Sequence, residues 1–277
     1  MQWVKILILS LFLASCGLLN SRNKAAAPNQ VQAPTQMPKG EERIPLKAVT
    51  QVERKKFGIV VAVHDRPHFL QTTLFSLVRS NLSQANVVLI DDFSPSKRVI
   101  QTLNQFQLEG IPTSKIGFKE NQGVLNALIT GFDLLENQVD FIVNIDADVL
   151  LSREWLAKLE TLYHRLAQED TILTGFNTKN HETLYCVDTF CAKKDIGGIN
   201  FFFSSAFYKR HLKQWLHAIP KAQWKQWDWI ICRQMTKHKF TFFSTKPSVI
   251  QHIGAAGMNS LHSEIFDWAD DFEFYKQ

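Results

Sequence analysis

Phe57-Gly58-Ile59-Val60-Val61-Ala62-Val63 is an unbroken apolar run rich in β-branched residues. Such a run fits a strand covered on both faces. His64-Asp65-Arg66-Pro67 ends it, and Phe69, Leu70, Leu74, Leu77 and Val78 then recur at helical spacing. The alternation repeats along the chain. Val87-Val88-Leu89-Ile90 predicts a second buried strand ending at Asp91-Asp92, and Val99, Leu103 and Phe106 predict a helix after it. A short strand is expected at Ile116-Gly117-Phe118, then a helix through Leu125, Leu128, Ile129 and Phe132. Phe141-Ile142-Val143-Asn144-Ile145 predicts a third clear strand, ending at Asp146-Ala147-Asp148 and followed by helical spacing in Trp155, Leu159 and Leu162.

Alternation of this kind predicts one three-layer α/β/α domain with a mostly parallel sheet. Ligands of such sheets bind beyond the carboxyl ends of the strands. Three strand ends here are polar: His64-Asp65, Asp91-Asp92 and Asp146-Ala147-Asp148. If the strands are neighbours, these acids share one crevice.

The region before residue 57 reads differently. Lys5, the apolar run Ile6 to Ala14 and then Ser15-Cys16-Gly17 have the three parts of a secretory signal. Leu13-Ala14-Ser15-Cys16 resembles a bacterial lipobox, which implies lipidation of Cys16 and a membrane-associated protein. An uncleaved anchor is the other reading, although Ile6 to Leu19 is shorter than the roughly 20 residues that span a bilayer. Residues 17–56 hold Pro28, Pro34, Pro38 and Pro45 without apolar periodicity, which predicts a disordered stalk. The expected organisation is therefore 1–16 signal or anchor, 17–56 stalk, and 57–277 folded domain.

With 45% hydrophobic and 21% charged residues, the 277-residue chain is not a disordered or polytopic membrane protein. The net charge of +5 resides in the tail: residues 17–56 carry eight Lys/Arg against three acids, and residues 57–277 carry 22 against 23. A near-neutral body excludes the cationic surface of a nucleic-acid binder. The basic tail suits either anionic lipid or plain solvent. Besides Cys16 there are Cys186, Cys191 and Cys232; the first two could close a short loop if the domain is exported, or all three are thiols.

Asp146 and Asp148 form the central chemical feature. Two carboxylates beyond an apolar strand suit a hard divalent cation, Mg²⁺ or Mn²⁺, which can bridge two phosphates and neutralise a departing diphosphate. The alternative is a pair of strand-end acids in solvent. Four segments, in order, decide between these. They are Ile59-Val60-Val61-Ala62-Val63-His64-Asp65-Arg66-Pro67; Ile90-Asp91-Asp92-Phe93-Ser94-Pro95; Glu120-Asn121-Gln122-Gly123 with Ala127 and Gly131; and Asn144-Ile145-Asp146-Ala147-Asp148. Over residues 57–275 the chain resembles family 2-type glycosyltransferases with the A-type nucleotide-sugar fold.

That resemblance implies roles. Asp91 and Asp92 would contact the base and ribose of a nucleotide, with uridine expected, and Ala62 and Asp65 would line it. Asp148 and His252 would hold Mn²⁺ or Mg²⁺, with Asp146 reaching ribose or metal-bound water. Gly198, in Gly197-Gly198-Ile199-Asn200, would border the donor sugar, although paired glycines also make simple turns. Asp228, in Trp227-Asp228-Trp229, would be the general base that takes a proton from the acceptor hydroxyl; an Asp at a helix start also serves as an N-cap. The family's usual pair at this point is two acids, and Trp227 replaces the first. Trp227 and Trp229 would stack on a sugar or pack in the core.

The resulting expectation is an inverting, metal-dependent enzyme. It would move sugar from a nucleotide-diphospho-sugar, a UDP-sugar first of all, to a glycan or glycolipid acceptor. A second class is a membrane-anchored carbohydrate-binding lipoprotein that keeps the fold without transfer; metal-dependent UDP binding separates the two. Bacterial nucleotide sugars are cytosolic whereas a lipobox implies export. Either reversed topology, with nearly balanced charges around the apolar run, or a secretory lumen with the stalk as a stem resolves this.

Overall fold

The computed structural model describes residues 57–254 and 267–272. The signal, Cys16 and the stalk lie outside the described residues. Among those described, no helix is long and apolar enough to cross a membrane.

The first half alternates as its pattern requires: β1 (Phe57–Val63), α1 (Pro67–Val78), β2 (Ala85–Asp91), α2 (Lys97–Gln105), β3 (Thr113–Gly117), α3 (Val124–Leu135) and β4 (Phe141–Asp146). Then follow β5 (Val149–Leu151), α4 (Trp155–Leu166), β6 (Ile172–Thr174), β7 (Thr183–Val187), β8 (Phe190–Lys193) and β9 (Phe202–Ser204). The chain continues through α5 (Ser205–Phe207), a π-helical stretch (Tyr208–Leu212) and α6 (Lys213–His217). A 3₁₀ turn (Lys221–Gln226), α7 (Trp227–Lys237), β10 (Phe242–Thr245) and β11 (Ile250–His252) complete it.

The nine-stranded sheet has the order β3-β2-β1-β4-β9-β6-β10-β8-β7, and β11 pairs with β5 in a separate ribbon. Seven of the nine strands run in one direction, and β8 and β9 oppose them. The sheet is thus mixed but mostly parallel. The short strand expected at 116–118 lies at Thr113–Gly117 instead. It is an edge strand with only half-buried apolar contacts, so the β2 ladder rather than hydrophobicity sets its limits.

Side-chain alternation along β1 divides the core. Ile59, Val61 and Val63 join Leu70, Leu74, Leu77 and Val143 on one face. Val60 joins Ile90, Leu125, Leu128 and Phe132 on the other. Both sets are almost wholly buried, and each such side chain contributes about 1.5–3 kcal/mol of burial. This two-sided core fixes the strand ends from which the site is built.

Candidate active site

Strand register brings the polar ends together. Ala62 lies level with Ile90 of β2 and with Asp146 of β4. The chain then leaves both strands in strained turns. Asp65 has φ 55°, Arg66 φ 59° and, past β2, Phe93 φ 58°. Left-handed backbone at non-glycine residues costs about 1–2 kcal/mol each and persists where surroundings enforce it. Here the two turns brace each other. The Asp65 N–H donates to Ser94 Oγ at 2.8 Å, the Ser94 N–H donates to Asp91 Oδ1 at 3.1 Å, and His64 Nδ1 bonds the Asp92 carbonyl at 2.9 Å.

The two acids after β2 divide their work. Asp92 is 3% exposed, and its carboxylate accepts the Gln122 N–H at 2.6 Å and the Gly123 N–H at 2.8 Å. Asp92 therefore fastens the start of α3. Asp91 is half-buried at the crevice. Asp65 adds a buried Oδ1 without a hydrogen-bond partner among the described residues. A buried acceptor of this kind is costly unless a ligand donates to it.

The Asp146-Ala147-Asp148 turn runs into β5, and β5 pairs with β11 so that Val149 faces His252. The Ile253 N–H also donates to the Asp148 carbonyl at 2.8 Å. This ribbon sets His252 Nε2 at 3.5 Å from Asp148 Oδ2, and Arg66 Nη1 bonds the same oxygen at 2.5 Å. A Cβ on Gly254 would lie 2.0 Å from Asp148 Oδ2 and 2.7 Å from His252 Nε2. Only glycine allows the backbone to pack this closely against the pair.

The charges here are unevenly balanced. Burial pushes the Asp146 carboxyl well above its ordinary value, and the charges of Asp148 and Asp228 push it further. Burial also acts upward on Asp148, but His252 and Arg66 outweigh it and hold Asp148 below the usual range. Among the described residues no group of three His, Cys, Asp or Glu side chains is arranged to hold a metal. The pair Asp148 and His252 still offers one oxygen and one nitrogen donor, with the Asp146 carboxylate nearby. Such a set suits Mn²⁺ whose other positions are taken by phosphate or water.

Asp228 stands in the first turn of α7, where Gln226 occupies the cap position. It is not an N-cap. Its Oδ2 accepts the Gly198 N–H at 3.1 Å and its Oδ1 the Trp229 N–H at 2.9 Å. Gly198 is pressed into place: a Cβ there would lie 2.6 Å from the Trp227 ring. Its carbonyl accepts from Asn144 Nδ2 at 2.9 Å, and Asn144 Oδ1 accepts the Phe201 N–H at 3.1 Å. Burial raises the Asp228 carboxyl, an effect that the Trp229 and Gly198 N–H groups and the His181 charge oppose. A raised carboxyl is a stronger base once ionised.

The two tryptophans part company. Trp227 is 6% exposed and packs on Phe201 at 5.0 Å between ring centroids, so it belongs to the core. Trp229 is 49% exposed. The sequence reading did not single out Arg66, Ser94, Asn144 or His181 as site residues. Asn144 carried a signal, since a polar side chain inside a fully apolar strand must find partners. Cys186 and Cys191 form a disulfide across the β7–β8 turn, while Cys232 is a buried thiol that burial pushes up to about 12.

Residues 58–192 match the family model described as glycosyl transferase family 2. The crystal structure of GalNAc-T7 with UDP, GalNAc and Mn²⁺ superposes with a TM-score of 0.59 at 14% identity, over 72% of this chain and 44% of that one. S. aureus TarS 1–349 in complex with UDP gives 0.51 at 12% identity, over 68% and 57%. This chain thus spans about half the length of the solved structures it matches. At these identities the likeness is one of fold. No curated protein matches the chain. The family match covers β1 to β8 and includes all three acidic strand ends, whereas Asp228 and His252 lie beyond it. Residues 58–192 are thus similar to glycosyl transferase family 2, and the chain has the A-type fold of the solved glycosyltransferases it superposes on.

Proposed function

We propose that the protein transfers a sugar from a nucleotide-diphospho-sugar, a UDP-sugar first of all, to an acceptor hydroxyl with inversion. The observation that supports this reading is geometric: the Asp146 N–H donates to the Ile199 carbonyl at 3.1 Å and the adjacent Gly198 N–H donates to Asp228 Oδ2 at 3.1 Å, so one short segment links the DxD turn to the α7 acid. The UDP bound in GalNAc-T7 and in TarS supports the choice of donor.

Asp65 and Asp91 bind the nucleoside, and the small Ala62 leaves room for it. Asp148 and His252 would hold a divalent cation, Mn²⁺ or Mg²⁺, with Asp146 directed at the ribose or at water in the cation's shell. A cation held there would supply positive charge to a departing diphosphate. Asp228 takes the proton of the acceptor hydroxyl as that oxygen bonds the anomeric carbon and the bond to diphosphate breaks. Gly198 fixes the orientation of Asp228 through its N–H. One displacement assisted by one base inverts the anomeric centre.

The acceptor is a glycan or glycolipid, and the domain works beside a membrane to which the N-terminal region ties it through Cys16 or an anchor helix. The Cys186–Cys191 disulfide supports an oxidising compartment; a reporter fused at residue 277 tests the side.

Calorimetry on the full chain with UDP, with and without Mn²⁺, tests the donor site, followed by turnover of a UDP-sugar panel. Metal-dependent UDP binding is expected. Sugar binding without any UDP binding would instead establish a non-catalytic carbohydrate-binding lipoprotein.

A further inference from the structure

The function proposed above leaves the acceptor open, and the surface beside Asp228 narrows its chemistry; the inference rests on that function. Trp229 follows the base directly, yet half of it lies on the surface. Core packing, which accounts for Trp227, does not account for it. The Trp229 ring stands 5.8 Å from that of His181, centroid to centroid and tilted by 42°. His181 is only 8% exposed and is held from two sides. Its Nδ1 lies 2.6 Å from Asp195 Oδ1, and its Nε2 lies 3.9 Å from Asp267 Oδ2. Asp267 in turn accepts from Asn180 Nδ2 at 3.0 Å. A Cβ on Gly197 would lie 3.0 Å from His181 Nε2, and the next residue, Gly198, donates its N–H to Asp228 Oδ2 at 3.1 Å, so this array and the base are neighbours.

The composition of the patch is selective. An exposed indole offers a flat apolar surface, which suits the C–H face of a pyranose ring. Carboxylates and an amide beside it accept and donate hydrogen bonds to ring hydroxyls. Asp195, Asp228 and Asp267 supply three carboxylates against the His181 imidazole and the buried Lys193 amine, which interacts with Asp195 and Asp267 and which burial lowers to about 8, so the carboxylates remain in excess. A ligand bearing its own carboxylate, sulfate or phosphate would meet like charge in a partly desolvated place.

We propose that Trp229 and the Asp195–His181–Asp267 array form the acceptor subsite, and that the acceptor sugar is an uncharged pyranoside. Its apolar face rests on the indole, and one hydroxyl points at Asp228. A purely structural reading would have Trp229 do no more than cover His181.

The test uses the full chain and the UDP-sugar it turns over. The acceptors are methyl β-glucopyranoside, methyl β-galactopyranoside and their 2-acetamido counterparts, set against methyl β-glucuronide. At least one neutral glycoside is expected to accept sugar, with the glucuronide at least tenfold worse in kcat/KM. Trp229→Ala is expected to raise the acceptor KM at least tenfold while UDP Kd stays within twofold, and Trp229→Phe to restore KM to within about threefold. Melting curves for each variant confirm folding. An unchanged acceptor KM in Trp229→Ala, a glucuronide as good as the neutral sugars, or refusal of every neutral glycoside overturns the subsite. Failure of the parent protein to bind UDP at all would strike the proposed function instead.

Discussion

The Arg66 guanidinium bonds Asp148 Oδ2 at 2.5 Å, joining the left-handed turn after β1 to the acidic turn after β4. The pair gives the metal-free protein an internal counter-charge at the oxygen that a divalent cation would take. The same guanidinium lies over the Phe69 ring at 4.4 Å.

Arg66 and the cation therefore compete. Arg66→Ala is expected to bind Mn²⁺ alone several-fold more tightly than the parent protein, measured by calorimetry without nucleotide. Equal Mn²⁺ affinity would mean that Arg66 and the metal do not share that oxygen.

Asp228 links activity to stability with opposite signs. Burial raises its carboxyl in the folded state. The native protein then holds a proton that the unfolded chain has already released, so stability falls as pH rises from the unfolded value through the folded one. Asp228→Asn removes that loss. It is expected to melt at a higher temperature than the parent at pH 7, to bind UDP normally, and to lose about 10²–10⁴ in transfer rate. The acidic limb of kcat/KM should sit above the ordinary carboxylate range. Transfer at the parental rate would exclude Asp228 as the base.

Phe93 gives a backbone prediction. It is 53% exposed with φ 58°, so its side chain buries little while its backbone is strained. Phe93→Gly should stabilise the fold by about 0.5–1 kcal/mol in urea unfolding. A loss of stability would mean that the ring packs to more effect than its exposure indicates.

Asp92 should act through folding. Both its oxygens accept N–H groups at the start of α3. Hydrogen bonds to a charged group contribute about 1.5–3 kcal/mol, and Asp92→Ala should lower stability by roughly that amount. UDP affinity would then recover at low temperature, where the fold is intact. Normal stability with lost UDP binding would return Asp92 to the nucleotide.

The β1, β2 and β4 strands were legible because each is a fully apolar run, and their polar ends marked the crevice. The parallel arrangement of that half followed from the helices between them. Thr183–Val187 and Ile172–Thr174 were not legible as strands, being short and held by neighbours rather than by their own pattern. Phe201-Phe202-Phe203 was readable as a strand, but nothing in three phenylalanines gives its reversed direction. Within the site, Asp91 and Asp92 look alike in sequence, and only the arrival of Gln122 and Gly123 separates them. Trp227 and Trp229 flank one acid symmetrically, and helix rotation alone sends one inward and the other out. His181 had no local signal, because its partners Asp195 and Asp267 come from distant segments.

The β5–β11 ribbon divides the donor cradle between early and late chain. Residues 58–192, the span that matches the family model, contain Asp65, Asp91 and the Asp146-Ala147-Asp148 turn, but His252 and Asp228 arrive afterwards. A fragment cut at that boundary would be left with half a pocket: carboxylates facing one another, without β11 to pair with β5. On the proposed function, catalytic competence would be acquired only when the last third of the polypeptide has docked.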